Sequence, residues 1–275
     1  DADRAVRRSA KQRIADSLAD LESFDLCADA IDAILQRIQV VDDVSDAVAG
    51  SDHVQECVPE ELDLKRRVFS EVDALADEIT TIASASSAIL CSEIAAGLPH
   101  AERCLVAHPG NPPYLLRVVE VVPAPFTSSF AIERVTTLMA SARLVPVVLR
   151  REIRGFVFNR LQGAVLREAY CLVRDGVVGV DELDRIVRDG LGLRWAVTGP
   201  FETADLNRRG GIAKHAEIMA TAYAEMAAER EKHEPWTDDL IAAVASERRA
   251  LLPLDRWDER VRWRDRALMA LLATR

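Results

Sequence analysis

The chain has 275 residues, of which 49% are hydrophobic and 29% charged, so it is long enough to bury one large core or two smaller ones. Its net charge of −10 argues against a nucleic-acid-binding surface and favours a soluble cytoplasmic protein. The five cysteines are scattered without a Cys-x-x-Cys pair, and no stretch resembles a membrane span or a signal peptide. Composition therefore excludes a disulfide scaffold, a zinc module and a membrane protein.

Helical and extended patterns alternate over residues 1–150. Helices are predicted at 1–20, 28–35, 43–48, 62–75, 92–96 and 132–141, and strands at 37–41, 52–58, 79–83, 104–107, 118–122 and 144–149. Such alternation is typical of βαβ units in a mostly parallel sheet. Residues 151–275 carry helical patterns, in a helix that opens at 155 and in others at 180–189, 212–229, 238–251 and 256–273. We therefore predict an α/β domain at 1–150 and an all-helical domain at 151–275.

The segment 104–123, CLVAHPGNPPYLLRVVEVVP, contains the first candidate site. An apolar run ends on His108, a Pro/Gly/Asn loop follows, and Glu120 lies in the middle of a β-branched run. Because side chains alternate across a strand, Glu120 shares a face with Val118 and Val122 and should be partly buried. A buried carboxylate needs a partner, and one that accepts the imidazole Nδ1–H leaves Nε2 free as a base. The alternative is a structural histidine at a strand end, with the glutamate turned outward.

Further polar residues follow the predicted strands. Ser87 lies just beyond one strand, Glu60 and Lys65 follow another, and Asn159 lies at the start of the long helix. Ligands bind at the carboxyl ends of parallel strands, so these residues are candidates for the same site. Taken singly, Ser87 and Asn159 are also explained as a helix cap and a surface residue.

Four motifs carry a resemblance to a known family: HVQECVPEELDLK (53–65), AHPGNPPYLLRVVEVVP (107–123), GFVFNRLQ (155–162) and GLGLRWAVTGPFETADLN (190–207). Together they resemble the 3-hydroxyacyl-CoA dehydrogenase superfamily, and most of all its lambda-crystallin branch, whose members act as L-gulonate 3-dehydrogenase. The resemblance implies a Rossmann-type NAD-binding domain followed by a helical domain through which two copies dimerise. The apolar stripes of the last helices agree with a homodimer.

The resemblance also assigns residues to roles. His108 matches the catalytic base and Glu120 its orienting carboxylate, whereas Ser87 and Asn159 match the residues that hydrogen-bond the reacting oxygen. The residues that match NAD contacts are Asp1, Glu60, Lys65 and Ser87, with Asp3 a competitor for the position of Asp1. The implied reaction is transfer of hydride from C3 of an L-3-hydroxy acid, gulonate-like, to NAD.

The sequence departs from the family pattern in having no Gly-x-Gly-x-x-Gly turn. Gly190 and Gly192 follow a helix and do not qualify. We expect one strand–turn–helix–strand unit to be missing before Asp1, and the 275-residue chain by itself to bind NAD poorly.

Two other functions stay open. An L-3-hydroxyacyl-CoA dehydrogenase stays open because a basic helix face, formed by Arg4, Arg7, Arg8 and Lys11, would suit a CoA phosphate, although a solvated face is the ordinary explanation of these residues. A non-catalytic, crystallin-like structural protein is the hypothesis from another class.

Overall fold

A computed structural model of the chain describes residues 3–230 and 237–274. Its strands are β1 (His53–Glu56), β2 (Thr81–Ser84), β3 (Cys104–Pro109), β4 (Val118–Pro123) and β5 (Val145–Val148). Its helices are α1 (Arg4–Glu22), α2 (Ile31–Gln36), α3 (Val44–Val48), α4 (Leu62–Leu75), α5 (Cys91–Ile94), α6 (Ser129–Ser141), α7 (Phe158–Arg174), α8 (Val180–Ile186), α9 (Leu193–Trp195), α10 (Pro200–Leu206), α11 (Gly211–Ala228), α12 (Asp238–Leu251) and α13 (Trp257–Ala273).

The strands form one sheet in the order β1-β2-β3-β4-β5. The pairs β1–β2, β2–β3 and β4–β5 are parallel, and β3 and β4 are antiparallel. The parallel neighbours are joined through α4, α5 and α6, as βαβ connections require. The predicted mostly parallel α/β sheet is therefore confirmed.

Each face of the sheet is covered by helices. On one face, Ile82 and Val106 pack with Phe69 of α4 and Ile94 of α5 in the larger core cluster. On the other face, Leu105 and Val121 of β3 and β4 pack with Val135 of α6, among others. Because alternate residues point to opposite faces, His108 projects to the same side as Val106, which is the side of α4.

One predicted element is wrong. The stretch 37–41 is not a strand, and α2 simply ends before it. Valine and isoleucine favour strands through packing against neighbouring strands, and no strand within residues 3–230 and 237–274 pairs with this stretch. Val40 is accordingly 43% exposed.

The chain divides into two compact units, one of residues 1–162 with 259–275 and the other of residues 163–258. The second unit contains α8 to α12, and no described residue after Val148 lies in a strand, which confirms the helical character of this part. Gly190 and Gly192 lie in a π-helical turn, Val187–Gly192, and not in a strand-to-helix turn. Asn159, at the start of α7, belongs to the first unit. Within the described part of the chain, every helix is too short or too polar to cross a bilayer.

Candidate active site

The register of β3 and β4 brings His108 and Glu120 together. The two residues are direct partners across the antiparallel pair, so their side chains leave the sheet on the same face. His108 Nδ1 lies 2.9 Å from Glu120 Oε2, which is the hydrogen bond that the spacing predicts. Both residues are buried, with 7% and 4% of their surfaces exposed. An ionised carboxylate can only accept, so Nδ1 carries the proton, and in the neutral imidazole Nε2 keeps its lone pair.

The second carboxylate oxygen of Glu120 accepts hydrogen bonds from the backbone at the start of α7. Its Oε1 accepts hydrogen bonds from the backbone N–H groups of Val157, at 2.7 Å, and Phe158, at 3.0 Å. These are among the N–H groups that a helix leaves without partners at its N-terminus, where the helix dipole also favours a negative charge. Burial raises the pKa of Glu120, but the hydrogen bonds from His108, Phe158 and Val157 outweigh it and hold the pKa below its ordinary value.

A tight turn delivers these N–H groups to Glu120. Gly155 and Phe156 both have positive φ, at +73° and +48°. A positive φ is strained for a phenylalanine, and here the ring is fully buried in the core on the α4 side of the sheet. The rings of Phe156 and Phe158 lie 5.6 and 6.4 Å from the imidazole of His108. These two aromatic rings therefore limit the rotation of the His108 imidazole and exclude water from one side of it.

Ser87 and Asn159 meet in the structure although 72 positions separate them. Asn159 Nδ2 donates a hydrogen bond of 2.9 Å to the backbone carbonyl of Ser87, and the rest of Ser87 is exposed. Because the neighbours of Asn159 bind Glu120, a continuous series of contacts joins Ser87, Asn159, Glu120 and His108. The fold thus brings the four predicted residues into one region.

Glu60 accepts several hydrogen bonds from the loop that contains Ser87. Its Oε1 accepts from the hydroxyl of Ser86, at 2.6 Å, and from the backbone N–H groups of Ser87 and Ala88, each at 3.0 Å. Burial raises the pKa of Glu60, but the hydrogen bonds from the Ser86 hydroxyl and the backbone of Ala88 and Ile89, together with the Lys65 ammonium, outweigh it and lower the pKa overall. The side chain of Glu60 is 41% exposed, so it also faces solvent at the edge of the sheet.

Lys65 lies beneath this edge in a buried ion pair that the sequence does not predict. Its ammonium group bonds Glu56 at 3.0 and 3.2 Å and the carbonyl of Val58 at 3.1 Å, and it lies 3.4 Å from Glu60. Glu56 also accepts from the hydroxyl of Ser84 at 2.6 Å. Lys65 is 1% exposed, so its surroundings are protein atoms. Asp1, the predicted ribose ligand, lies outside the described residues.

Sequence reasoning missed Glu56, Ser84 and Ser86. The available signal for Glu56 was its place at the end of β1 on the same face as Val54, followed by a lysine in the next helix. Ser84 and Ser86 carry no local signal beyond a serine-rich strand end.

The architecture is that of a Rossmann-type dinucleotide-binding fold followed by a helical unit. The family model of the 3-hydroxyacyl-CoA dehydrogenase NAD-binding domain matches residues 1–153, and that of the C-terminal domain matches residues 155–251. The chain belongs to the 3-hydroxyacyl-CoA dehydrogenase family.

Relatives illustrate this membership. A lambda-crystallin homolog of Bos taurus is 49% identical over 179 residues, which are 65% of this chain and 56% of that protein. An L-carnitine dehydrogenase of Oceanobacillus iheyensis is 43% identical over 60% of this chain and 54% of its own length. A 3-hydroxyacyl-CoA dehydrogenase of Gibberella moniliformis is 36% identical over 89% of this chain and 77% of its own length. The chain thus spans little more than half the length of the lambda-crystallins that it matches.

Solved structures agree with the fold. The crystal structure of a 5-formyl-3-hydroxy-2-methylpyridine 4-carboxylic acid 5-dehydrogenase, an NAD⁺-dependent dismutase, is 27% identical with a TM-score of 0.74, covering 93% of this chain and 88% of that one. A 3-hydroxybutyryl-CoA dehydrogenase from Escherichia coli is 28% identical with a TM-score of 0.64, covering 75% of this chain and 43% of that one.

NAD is the cofactor of this family, and the exposed groups at the sheet edge fit it. The parallel strands β1 and β2 end at the same edge, where Glu60 and Ser87 present a carboxylate and a hydroxyl to solvent. Such groups hydrogen-bond the hydroxyls and the amide of a dinucleotide. The buried, fully bonded Lys65 does not offer a comparable contact.

Proposed function

We propose that the natural protein is an NAD-dependent dehydrogenase that oxidises the 3-hydroxyl of an L-3-hydroxy acid, gulonate-like. The observation that carries the proposal is the His108–Glu120 pair, because it fixes one imidazole nitrogen as a donor and leaves the other as a base. In this role Nε2 of His108 takes the proton of the substrate hydroxyl. NAD, when bound, would accept the hydride from the carbon that carries this hydroxyl.

Glu120 stabilises the imidazolium that this proton transfer creates. Its pKa is lowered, so the carboxylate stays ionised throughout and lies 2.9 Å from the new positive charge. The N–H groups of Val157 and Phe158 hold its second oxygen, so the carboxylate cannot rotate away when His108 changes charge. A preorganised partner of this kind lowers the barrier without rearranging during the reaction.

Ser87 and Asn159 supply polar contacts to the oxygen that becomes a carbonyl. The hydroxyl of Ser87 is exposed, and the Asn159 amide, anchored by one N–H to the Ser87 carbonyl, keeps its other N–H. We propose that Glu60 and Ser87 hold NAD at the sheet edge. Lys65 acts beneath them by fixing Glu60, because its ammonium is fully engaged in the buried ion pair.

A free hydroxy acid is preferred over a CoA thioester as the substrate. Two of the four basic residues that suggested a CoA phosphate site are engaged elsewhere: Arg7 pairs with Asp42 at 3.0 Å, and Lys11 bonds the carbonyl of Leu35 at 3.4 Å. The name of the similar L-carnitine dehydrogenase also supports a substrate without CoA.

The test is NADH formation by the natural full-length protein with L-gulonate, L-carnitine and 3-hydroxybutyryl-CoA side by side. We expect activity with a free hydroxy acid, and a loss of about 10²–10⁴ in rate in H108A. The matched control is H215A, a histidine of the helical unit with no part in the proposed site. Activity with the thioester alone would refute the substrate assignment, and absence of NADH formation with all three would favour a structural role.

We further propose that the protein is a homodimer joined through its helical unit. Large apolar side chains of this unit are strongly exposed, between 63% and 83%: Ile186, Leu193, Val197, Phe201 and Leu206. Clusters of exposed apolar residues mark interaction surfaces. Light scattering at micromolar concentration should give a dimer mass, and a monomer mass would contradict the proposal.

A further inference from the structure

We propose that Glu60 is a positioning residue that fixes the backbone of the loop 86–89 and, through it, the Ser87 hydroxyl. This inference rests on the proposed function, since it concerns how the site keeps Ser87 in place for the reacting oxygen. It goes beyond a cofactor contact because it assigns Glu60 a role that exists before any dinucleotide binds.

Four hydrogen-bond donors of the loop 86–89 point to one oxygen atom. Glu60 Oε1 accepts from the Ser86 hydroxyl at 2.6 Å and from the backbone N–H groups of Ser87, Ala88 and Ile89 at 3.0, 3.0 and 3.4 Å. The Ser86 hydroxyl in turn accepts from the Ile89 N–H at 2.8 Å. Consecutive N–H groups that point to one centre form a concave anion-binding nest, and here the protein fills the nest with its own carboxylate.

Glu60 is itself held from below. Its Oε2 lies 3.4 Å from the ammonium of Lys65, and that ammonium is locked in the pair with Glu56. Glu56 accepts from Ser84, whose hydroxyl oxygen accepts the backbone N–H of Ser86 at 3.1 Å. The charged network therefore binds the loop at its start, through the Ser86 N–H, and in its middle, through the N–H groups of Ser87 and Ala88. Glu60 is the member of the network that contacts Ser87 directly.

Ser87 is consequently fixed on both sides of its Cα atom. Its N–H donates to Glu60 and its carbonyl accepts from Asn159, so both of its peptide groups are restrained while the side chain remains free to face a ligand. Removal of Glu60 releases the first restraint and leaves the Ser87 N–H without its acceptor, while the N–H groups of Ala88 and Ile89 keep only the Ser86 hydroxyl. A shift of about 1 Å in a positioned group can cost roughly 10² in rate.

The first experiment measures hydrogen exchange of the peptide containing residues 86–89, without NAD, in the wild-type protein and in E60A, E60Q and E61A. Glu61 is the matched control because it is the exposed neighbour and caps no N–H group with its side chain. We expect at least about tenfold faster exchange in E60A, wild-type exchange in E61A, and partial protection in E60Q, whose amide oxygen can still accept. Wild-type protection of the loop in E60A would overturn the inference.

The second experiment separates positioning from cofactor contact through steady-state kinetics of the natural full-length protein. Positioning predicts that E60A lowers kcat by roughly 10–100-fold in addition to any increase in KM for NAD, and that E60Q recovers part of kcat. An increase of KM for NAD with unchanged kcat would overturn the inference and leave a plain cofactor contact. If the wild-type protein forms no NADH, the proposed function fails, and the exchange result still decides whether Glu60 holds the loop.

Discussion

Replacement of Glu120 by glutamine tests the proposed site most directly, because it removes the charge with almost no change in shape. The side-chain oxygen can still accept from Val157 and Phe158, so the start of α7 keeps its bonds. The new amide NH₂ then faces His108 Nδ1, and as a donor it requires Nδ1 to be the acceptor. The proton of the neutral imidazole moves to Nε2, which can no longer act as a base.

E120Q should have different effects on the free energy of unfolding and on the catalytic rate. A charge-assisted hydrogen bond becomes a neutral one, so the free energy of unfolding should fall by about 1–2 kcal/mol. The rate should fall far more, by about 10²–10⁴, since an imidazole held in the wrong tautomer is inactive as a base. That factor corresponds to about 2.7–5.4 kcal/mol in the activation free energy. The loss of stability is therefore too small to explain the loss of rate.

Two assays examine this prediction. Nitrogen NMR of the imidazole distinguishes the two tautomers of His108 without requiring NAD, and the NADH assay gives kcat. The control is E133Q, the same change on the exposed surface of α6, for which we expect wild-type tautomer and rate. If E120Q keeps the Nδ1–H tautomer or retains more than a tenth of the wild-type kcat, the orienting role of Glu120 is refuted.

Two further predictions concern stability. Lys65→Met leaves the buried Glu56 carboxylate without its cation, so the free energy of unfolding measured in urea should fall by about 3–5 kcal/mol. The double variant E56Q/K65M should be clearly more stable than K65M alone, because it also removes the unpaired charge. Equal stability of the two variants would contradict this. For pH, the folded pKa of Glu120 lies below the ordinary value of 4.5, so its stabilisation is complete above about pH 4.5 and is lost as the pH falls through the folded pKa. The difference in stability between wild type and E120Q should therefore shrink as the pH falls further below 4.5, and a constant difference would exclude Glu120 as its source.

Elements that bury one continuous face were predictable from the sequence. The predicted bounds of α4, 62–75, agree with the structure because apolar residues recur at helical spacing after Pro59. The β-branched run around Glu120 became β4 for a similar local reason. The stretch 37–41 has comparable residues but gains no neighbour, so local preference alone gave the wrong result there.

The site was only partly predictable. Alternation along β4 and the short loop after β3 suffice to suggest the pair of His108 and Glu120, since both signals are local. The network of Glu56, Lys65 and Glu60 depends instead on where the first turn of α4 passes the ends of β1 and β2. No spacing in the sequence encodes that crossing. Hence the resemblance suggested Lys65 as a contact of NAD, whereas the structure gives its ammonium to buried protein partners.

The loop between the two antiparallel strands links the fold to the chemistry. Gly110 N–H donates to the carbonyl of Val118 at 2.9 Å and so closes the strand pair next to His108. A Cβ atom at Gly110 would approach that of Leu116 to 3.0 Å, so a side chain at this point would force Leu116 to shift by a few tenths of an ångström. A slip of one residue in β4 would turn Glu120 to the face covered by α6, away from both the imidazole and the start of α7. The tight packing of this loop therefore sets the register on which the histidine–carboxylate pair depends.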